Sequence, residues 1–108
     1  MNEEITATGS TGNVFLDLEI DEAEELLVKA QLAAKISSII EHRHISQQEA
    51  ASVLGTTQPT VSRLVRGELY GFSTDRLLAF LRALGRDIEI HVKKRGSASE
   101  RGQTLVYA

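Results

Sequence analysis

The segment from residue 46 to residue 64 constrains the fold more than any other part of the chain, because it contains the start and stop signals of two short helices. Ser46 and Glu49 have the spacing of a capping box, in which the hydroxyl and the carboxylate each accept a hydrogen bond from the backbone N–H of the other residue. Gly55 follows an apolar stripe and readily adopts the left-handed conformation that ends a helix. The sequence therefore predicts a helix that begins at Gln47 and a tight turn at Gly55.

A second short helix is predicted directly after this turn. Thr57 can cap its N-terminus, and Pro59 is tolerated in a first turn, where no intrahelical N–H bond is lost. The side chains expected to be buried on one side of this helix are Val61, Leu64 and Val65. Polar residues are left on the opposite side, and two helices joined by such a turn form a helix-turn-helix.

The polar edge of the second helix suits contact with the bases of duplex DNA. The major groove admits one α-helix, in which glutamine can pair with adenine, arginine with guanine, and threonine can contact thymine. In helix-turn-helix docking the second helix contacts base edges while the first crosses the backbone. The residues predicted to contact bases are Gln58, Pro59, Thr60, Ser62 and Arg63, and those predicted to contact phosphates are Arg43, Gln47, Thr57 and Arg66. The alternative is a helical hairpin whose polar side chains are only solvated.

The segment resembles the Xre-type, or phage-repressor, class of helix-turn-helix domains through the turn that opens its second helix, Gly55-Thr56-Thr57-Gln58. From about Gly12 to Lys93 the chain also resembles the HigA-type antitoxins of bacterial toxin–antitoxin pairs. The motifs that carry this second resemblance are Gly12-Asn13-Val14-Phe15, Asp17-Leu18, Ala23-Glu24-Glu25-Leu26, Lys29-Ala30, Gln58-Pro59-Thr60-Val61-Ser62, Phe72-Ser73 and Leu84-Gly85-Arg86-Asp87-Ile88. One departure is Glu19, where the family often has glycine.

The resemblance implies a homodimeric repressor that binds double-stranded operator DNA, represses the operon that encodes it, and neutralises a HigB- or RelE-like messenger-RNA-cleaving toxin. Two alternatives stay open: a stand-alone Xre-type regulator without a toxin, and a protein-interaction module that does not bind DNA. No catalytic residue or cofactor is predicted, because no nucleophile-elbow, metalloprotease or phosphate-loop pattern occurs. No metal site is predicted either, since His42 and His44 would point to different sides of a helix end.

Charge is unevenly distributed along the chain. The net charge is −3, but residues 1–25 carry eight acids and no lysine or arginine, so residues 26–108 set seven acids against twelve bases, a balance of +5. The basic part contains the predicted helix-turn-helix, which fits the large contribution of phosphate contacts to DNA affinity. The acidic part is either the solvated start of a helix or a surface for a basic partner such as a ribonuclease toxin.

Length and composition predict one domain. A chain of 108 residues with 42% hydrophobic residues can form a modest core, and the absence of cysteine excludes disulfides and fits a reducing cytosol. The chain has no apolar run of the roughly 18 residues that a membrane span requires and no signal-peptide pattern. We therefore expect a cytoplasmic bacterial protein that is associated with the nucleoid when it is bound to DNA.

The whole pattern predicts a mostly α fold, a lambda-repressor-like bundle with a long N-terminal helix and a C-terminal β-strand. Residues 1–12 are expected to form a disordered tail, residues 13–94 the DNA-binding domain with its dimerisation strand, and residues 95–108 a flexible tail. Residues 14–20 have a period of two, in which Val14, Leu16, Leu18 and Ile20 alternate with Phe15, Asp17 and Glu19, and this favours a short strand or an extended arm. Asp21 would then cap the long helix.

Residues 87–93 alternate with a strict period of two, the pattern of a half-buried strand. A lone strand leaves its backbone unpaired, so the partner would be residues 14–20, the same strand of a second copy, or a strand of another protein. Because a palindromic operator requires two recognition helices about 34 Å apart, pairing between two copies is preferred. The residues predicted to form the dimer contact are Ile88, Ile90 and Val92.

Overall fold

The computed structural model describes residues 11–96 and 101–108, with only the backbone for residues 11–20. Four helices lie in this part of the chain: α1 (Thr11–His42), α2 (Gln47–Leu54), α3 (Gln58–Val65) and α4 (Thr74–Ala83). α2 and α3 pack against each other, and α4 packs against both α1 and α2. The predicted helix-turn-helix bundle with a long first helix therefore forms.

The core lies where the four helices meet. Its largest fully buried side chains are Phe72, Ile36, Leu64, Leu77, Leu84 and Val61. Full burial of one such side chain is worth about 1.5–3 kcal/mol, so apolar packing is the main source of stability. No polar or charged side chain is buried among the residues whose side chains are described.

α1 begins earlier than predicted, at Thr11 and not at Asp21. The strand or extended arm predicted for residues 14–20 is wrong, because the backbone there is helical and continuous with the rest of α1. Neither glycine nor proline occurs between Asn13 and His42. Lengthening a helix adds one hydrogen bond for each residue that is fixed, so nothing in this stretch stops it. Residues 1–10 of the predicted disordered tail lie outside the described residues.

α1 is much longer than the core that it covers. Its 32 residues span about 48 Å at a rise of about 1.5 Å per residue. Among the α1 side chains that the structure describes, from residue 21 onward, the first in the core is Val28, whereas Leu26 and Leu27 are exposed. Residues 21–27 of α1 therefore contribute no side chain to the core. None of the described helices has the apolar stretch that a membrane crossing requires.

The C-terminal β-strand predicted at residues 87–93 is absent. Residues 86–95 have no regular secondary structure, and no strand occurs elsewhere in the described ranges. One proposed partner, residues 14–20, is helical and cannot pair as a strand. An alternating pattern does not make a strand when no neighbour supplies the ladder of hydrogen bonds. Ile88 packs against the core, whereas Ile90 and Val92 are 78% and 94% exposed.

Residues 101–108 lie against the N-terminal half of α1. The guanidinium of Arg101 donates a hydrogen bond to the carboxylate of Asp21, and the backbone N–H of Thr104 donates to Oε2 of Glu24 at 3.0 Å. Val106 packs against the core. The C-terminal segment is therefore placed beside α1 by charge and by apolar contact, while its predicted flexibility stays a prediction.

The predicted cap of α2 is confirmed. The backbone N–H of Ser46 donates to Oε1 of Glu49 at 2.8 Å, and the N–H of Glu49 donates to Oγ of Ser46 at 3.0 Å. Both bonds satisfy donors that have no partner within the helix. The cap therefore fixes the start of α2 at Gln47.

We expect Ser46→Ala to lower the free energy of unfolding by about 1 kcal/mol, because the side-chain acceptor of the cap is lost. Urea denaturation followed by circular dichroism measures this change. Ser52→Ala is the matched control, since Ser52 is exposed within α2 and alanine is the better helix former. An equal loss of stability in both variants would contradict the assigned cap.

Candidate nucleic-acid interface

The turn between α2 and α3 has the predicted geometry. Gly55 adopts a φ of 72°, the left-handed region, and the next N–H, of Thr56, donates to the carbonyl of Ala51 at 2.9 Å. Oγ1 of Thr57 accepts from the N–H of Thr60 at 3.3 Å and so caps α3. Pro59 lies in the first turn of α3, where its missing N–H costs nothing. The turn and both helix boundaries are confirmed.

α3 presents a polar face away from the core. Val61 and Leu64 are buried, and helical periodicity places Pro59, Ser62 and Arg66 on the opposite side. Pro59 and Arg66 are exposed, whereas the predicted base readers other than Pro59 are partly buried: Gln58, Thr60, Ser62 and Arg63. The structure thus brings together the five residues predicted to contact bases on one short helix, while their contact with DNA stays a prediction.

Two glutamines join the starts of α2 and α3. Nε2 of Gln58 donates to Oε1 of Gln47 at 2.6 Å. The amide of Gln58 keeps Oε1 and one hydrogen of Nε2, the pair needed for a bidentate contact with adenine. The amide of Gln47 keeps both of its hydrogens for a phosphate. The pair therefore fixes the two helices relative to each other without consuming the groups that would contact DNA.

Arg66, at the end of α3, forms an ion pair within the chain. Its Nε lies 2.9 Å from Oε2 of Glu68, and its Nη1 donates to Oγ of Ser62. The hydrogen bond with Glu68 raises the pKa of Arg66, and the same bond lowers the pKa of Glu68. Both side chains are exposed, so a phosphate could replace Glu68 as the partner of Arg66.

Two guanidinium groups lie over the buried ring of Phe72. Cζ of Arg63 is 5.1 Å and Cζ of Arg76 is 5.2 Å from the ring centroid, and Arg76 is also 5.3 Å from the ring of Phe80. Nη2 of Arg76 donates to Oγ1 of Thr56 at 3.3 Å. α4 is therefore linked to the turn of the helix-turn-helix, and positive charge is held beside α3.

Of the predicted phosphate ligands, Arg43 is placed elsewhere. Its guanidinium donates to the carbonyl of Leu84, at the C-terminal end of α4. Cations are favoured there because the last carbonyls of a helix carry partial negative charge. The structure brings Gln47, Thr57 and Arg66 to the α2–α3 unit but gives Arg43 a partner in α4. Within the described ranges, no group of three His, Asp or Glu residues could hold a metal ion.

Sequence reasoning missed two residues of this surface. Tyr70 is 92% exposed in the loop between α3 and α4, and Arg76 joins that loop region to Thr56. A signal for Arg76 was present, because it stands four residues before Phe80 in the predicted last helix and so shares the face of that residue. No comparable sequence signal marks the exposure of Tyr70.

The joined pair α2–α3, with its exposed polar face, defines the class of helix-turn-helix proteins, and comparisons with known proteins agree. The family described as "Helix-turn-helix domain" matches residues 14–93. A solved structure described as an XRE-family transcriptional regulator is 38% identical, with a TM-score of 0.76, over 81% of this chain and 98% of that chain. No curated protein matches.

The chain therefore belongs to the helix-turn-helix domain family. The two matches indicate a DNA-binding transcriptional regulator and not an enzyme. They confirm the resemblance to Xre-type proteins, whereas the narrower resemblance to HigA-type antitoxins stays a prediction.

Proposed function

We propose that this protein is a sequence-specific transcriptional repressor that inserts α3 into the major groove of its operator. The observation that carries the proposal is the outer face of α3, which is fixed by caps and carries amide, hydroxyl and guanidinium groups opposite its buried side. Gln58 is assigned to an adenine, and the side chains of Pro59, Thr60 and Ser62 to neighbouring base edges.

Phosphate contacts would come from the margins of this face. Gln47 stands at the start of α2, where free N–H groups and the helix dipole favour anions. Thr57 stands at the corresponding point of α3, and Arg66 at its other end. Together these groups would straddle the groove and set the position of α3 without reading sequence.

The direct test is binding of the full chain to a labelled duplex of its own promoter and to a shuffled duplex, each at several salt concentrations. We expect the promoter to bind about 1,000-fold or more tightly than the shuffled duplex, and both affinities to fall as salt rises. Absence of any shift at low salt would reject the proposal and favour the protein-interaction module.

We expect Glu68→Gln to strengthen DNA binding several-fold, because Arg66 would lose its internal carboxylate partner and be free for a phosphate. Arg66 holds the pKa of Glu68 below its ordinary value, so mild acidification does not release the pair and the substitution is needed. Fluorescence anisotropy measures the affinity for the promoter duplex and for the shuffled duplex. Both affinities should rise by the same factor, because a phosphate contact does not depend on sequence. Glu22→Gln, the same change of charge at an exposed position of α1, is the control and should bind like the wild type.

Dimerisation is part of the proposal, because two copies would place two α3 helices on a palindromic operator about 34 Å apart. The assigned contact surface contains Ile88, Ile90 and Val92. Its support is that Ile90 and Val92 are large apolar side chains left in solvent next to Ile88, which is anchored on the core. Exposed apolar surface of this kind is typical of interaction sites.

We expect Ile90→Lys to convert the dimer to a monomer, since a charge would be buried at the centre of the contact. Sedimentation velocity at several concentrations measures this change. Leu105→Lys, a similar substitution of another exposed apolar side chain, is the control and should leave the dimer intact. A monomeric wild type would reject this assignment.

The antitoxin role is the narrower form of the proposal, with a HigB- or RelE-like ribonuclease as the partner. Its support is the family resemblance and the described N-terminal part of α1, where Glu22 is exposed near the exposed Leu26 and Leu27. Asp21 and Glu24, in the same part of α1, contact residues 101–108. Co-expression with the neighbouring open reading frame tests it. Rescue of growth and co-purification would support the role, whereas a neighbour that is not toxic would favour a stand-alone regulator.

A further inference from the structure

The guanidinium of Arg63 already has two partners within the chain. It donates a hydrogen bond to the backbone carbonyl of Tyr70, and it lies 5.1 Å from the centroid of the Phe72 ring. Gly71, between these two residues, has a φ of 88°, and a Cβ built on it would lie 3.7 Å from Nη2 of Arg63. The side chain of Arg63 therefore ties the backbone of this loop at Tyr70 to α3.

The held loop presents a large aromatic side chain to solvent. Leu69 and Phe72, on either side, are buried in the core, while Tyr70 is 92% exposed. Its carbonyl is bonded to a side chain that leaves α3 on the polar side of that helix. Tyr70 is thus anchored by its backbone at the edge of the proposed DNA-binding face, with its ring and hydroxyl free. Tyrosine hydroxyls are among the groups that donate to phosphates in DNA complexes.

We propose that Tyr70 contacts the sugar–phosphate backbone of the operator, and that Arg63 is a positioning residue that holds Tyr70 there and does not read a base. This inference rests on the proposed function, since it assigns a further contact to the same surface. It replaces the guanine contact that the sequence predicted for Arg63.

The contacts that Arg63 would have to give up argue against its contact with a base. To reach guanine, the guanidinium would lose a charge-assisted hydrogen bond to the Tyr70 carbonyl and its contact with Phe72. The loop would lose its tie to α3 at the same time. A bidentate contact with guanine gains an amount of similar size to these losses. The net gain is therefore small, whereas a phosphate contact by Tyr70 requires no internal bond to break.

A double-mutant cycle tests the inference with wild type, Tyr70→Ala, Arg63→Ala and the double variant. The probes are the native promoter duplex and a set of duplexes that carry each single base-pair change in its protected site. We expect each single variant to bind about 10-fold more weakly on every duplex, with base preference unchanged. The double variant should bind no more weakly than either single variant, because both changes remove one contact.

The contrary result is equally distinct. Arg63→Ala would then relax preference at one base pair and lower the DNA affinity of the Tyr70→Ala variant as much as it lowers that of the wild type. In that case Arg63 reads a base and the inference is wrong. Unchanged binding of Tyr70→Ala also overturns it, and this variant alters only an exposed loop side chain, so folding does not confuse the result. Failure of the wild type to bind the promoter would instead overturn the proposed function, and this inference with it.

Discussion

Ser62→Glu is expected to weaken binding to the promoter by at least about 100-fold, which corresponds to about 2.8 kcal/mol. Ser62 lies on the outer face of α3, and its hydroxyl accepts a hydrogen bond from Arg66. A carboxylate at this position would face the negative charge of the groove. It would also pair with Arg66, four residues further along, and so remove a proposed phosphate ligand.

The same substitution should leave the fold intact, which makes it a specific test of the surface. The exposed Glu–Arg pair four residues apart would stabilise the helix end by about 0.2–0.5 kcal/mol and would not weaken it. Thermal unfolding followed by circular dichroism measures stability, and fluorescence anisotropy measures binding. Gln31→Glu, an equal change of charge at an exposed position of α1, is the matched control and should retain binding within a few-fold.

Two outcomes would contradict the assignment of this face. Full retention of binding by Ser62→Glu would mean that α3 does not enter the groove with Ser62 toward DNA. An equal loss in Gln31→Glu would mean that net charge, and not the outer face of α3, controls affinity. A loss of DNA binding in Ser62→Glu but not in Gln31→Glu would also contradict the protein-interaction module, in which DNA has no role.

The parts of the fold that the sequence predicted well depend on neighbours in the chain. The capping box pairs residues three apart, and the left-handed turn needs only a glycine at position 55. Such signals act over one helical turn, so they can be recognised without knowing the tertiary structure. They were sufficient to place α2 and α3, and with them the five residues predicted to contact bases.

The errors depend on distant or absent neighbours. Residues 87–93 have the period of a strand, but period alone does not say whether a second strand lies alongside, and one candidate, residues 14–20, is part of α1. The hydrogen-bond partner of Arg63 could not be predicted either, because it is the backbone carbonyl of Tyr70 and not a side chain that the sequence displays, while the base contact of Arg63 stays an untested prediction. Polar residues on a helix face could be recognised, but the direction of each side chain could not.

Phe72→Ala is expected to give the largest loss of stability, about 3–5 kcal/mol in the free energy of unfolding. Phe72 is 1% exposed, and its ring meets that of Phe80 edge to face, with the centroids 6.4 Å apart. Alanine would leave a cavity in the core and remove the aromatic surface beneath Arg63 and Arg76. Urea denaturation at a constant m-value measures the loss.

A second variant, Phe72→Leu, separates the two roles of the Phe72 ring, which fills the core and supports the guanidinium of Arg63. Phe72→Leu keeps most of the buried apolar volume but provides no π face, so we expect it to lose less stability than Phe72→Ala. Under conditions where both variants are folded, both should bind DNA more weakly, because Arg63 and the loop that carries Tyr70 lose their support. If Phe72→Leu binds DNA like the wild type, the ring acts through volume alone, and the hydrogen bond from Arg63 to the Tyr70 carbonyl is sufficient to hold the loop.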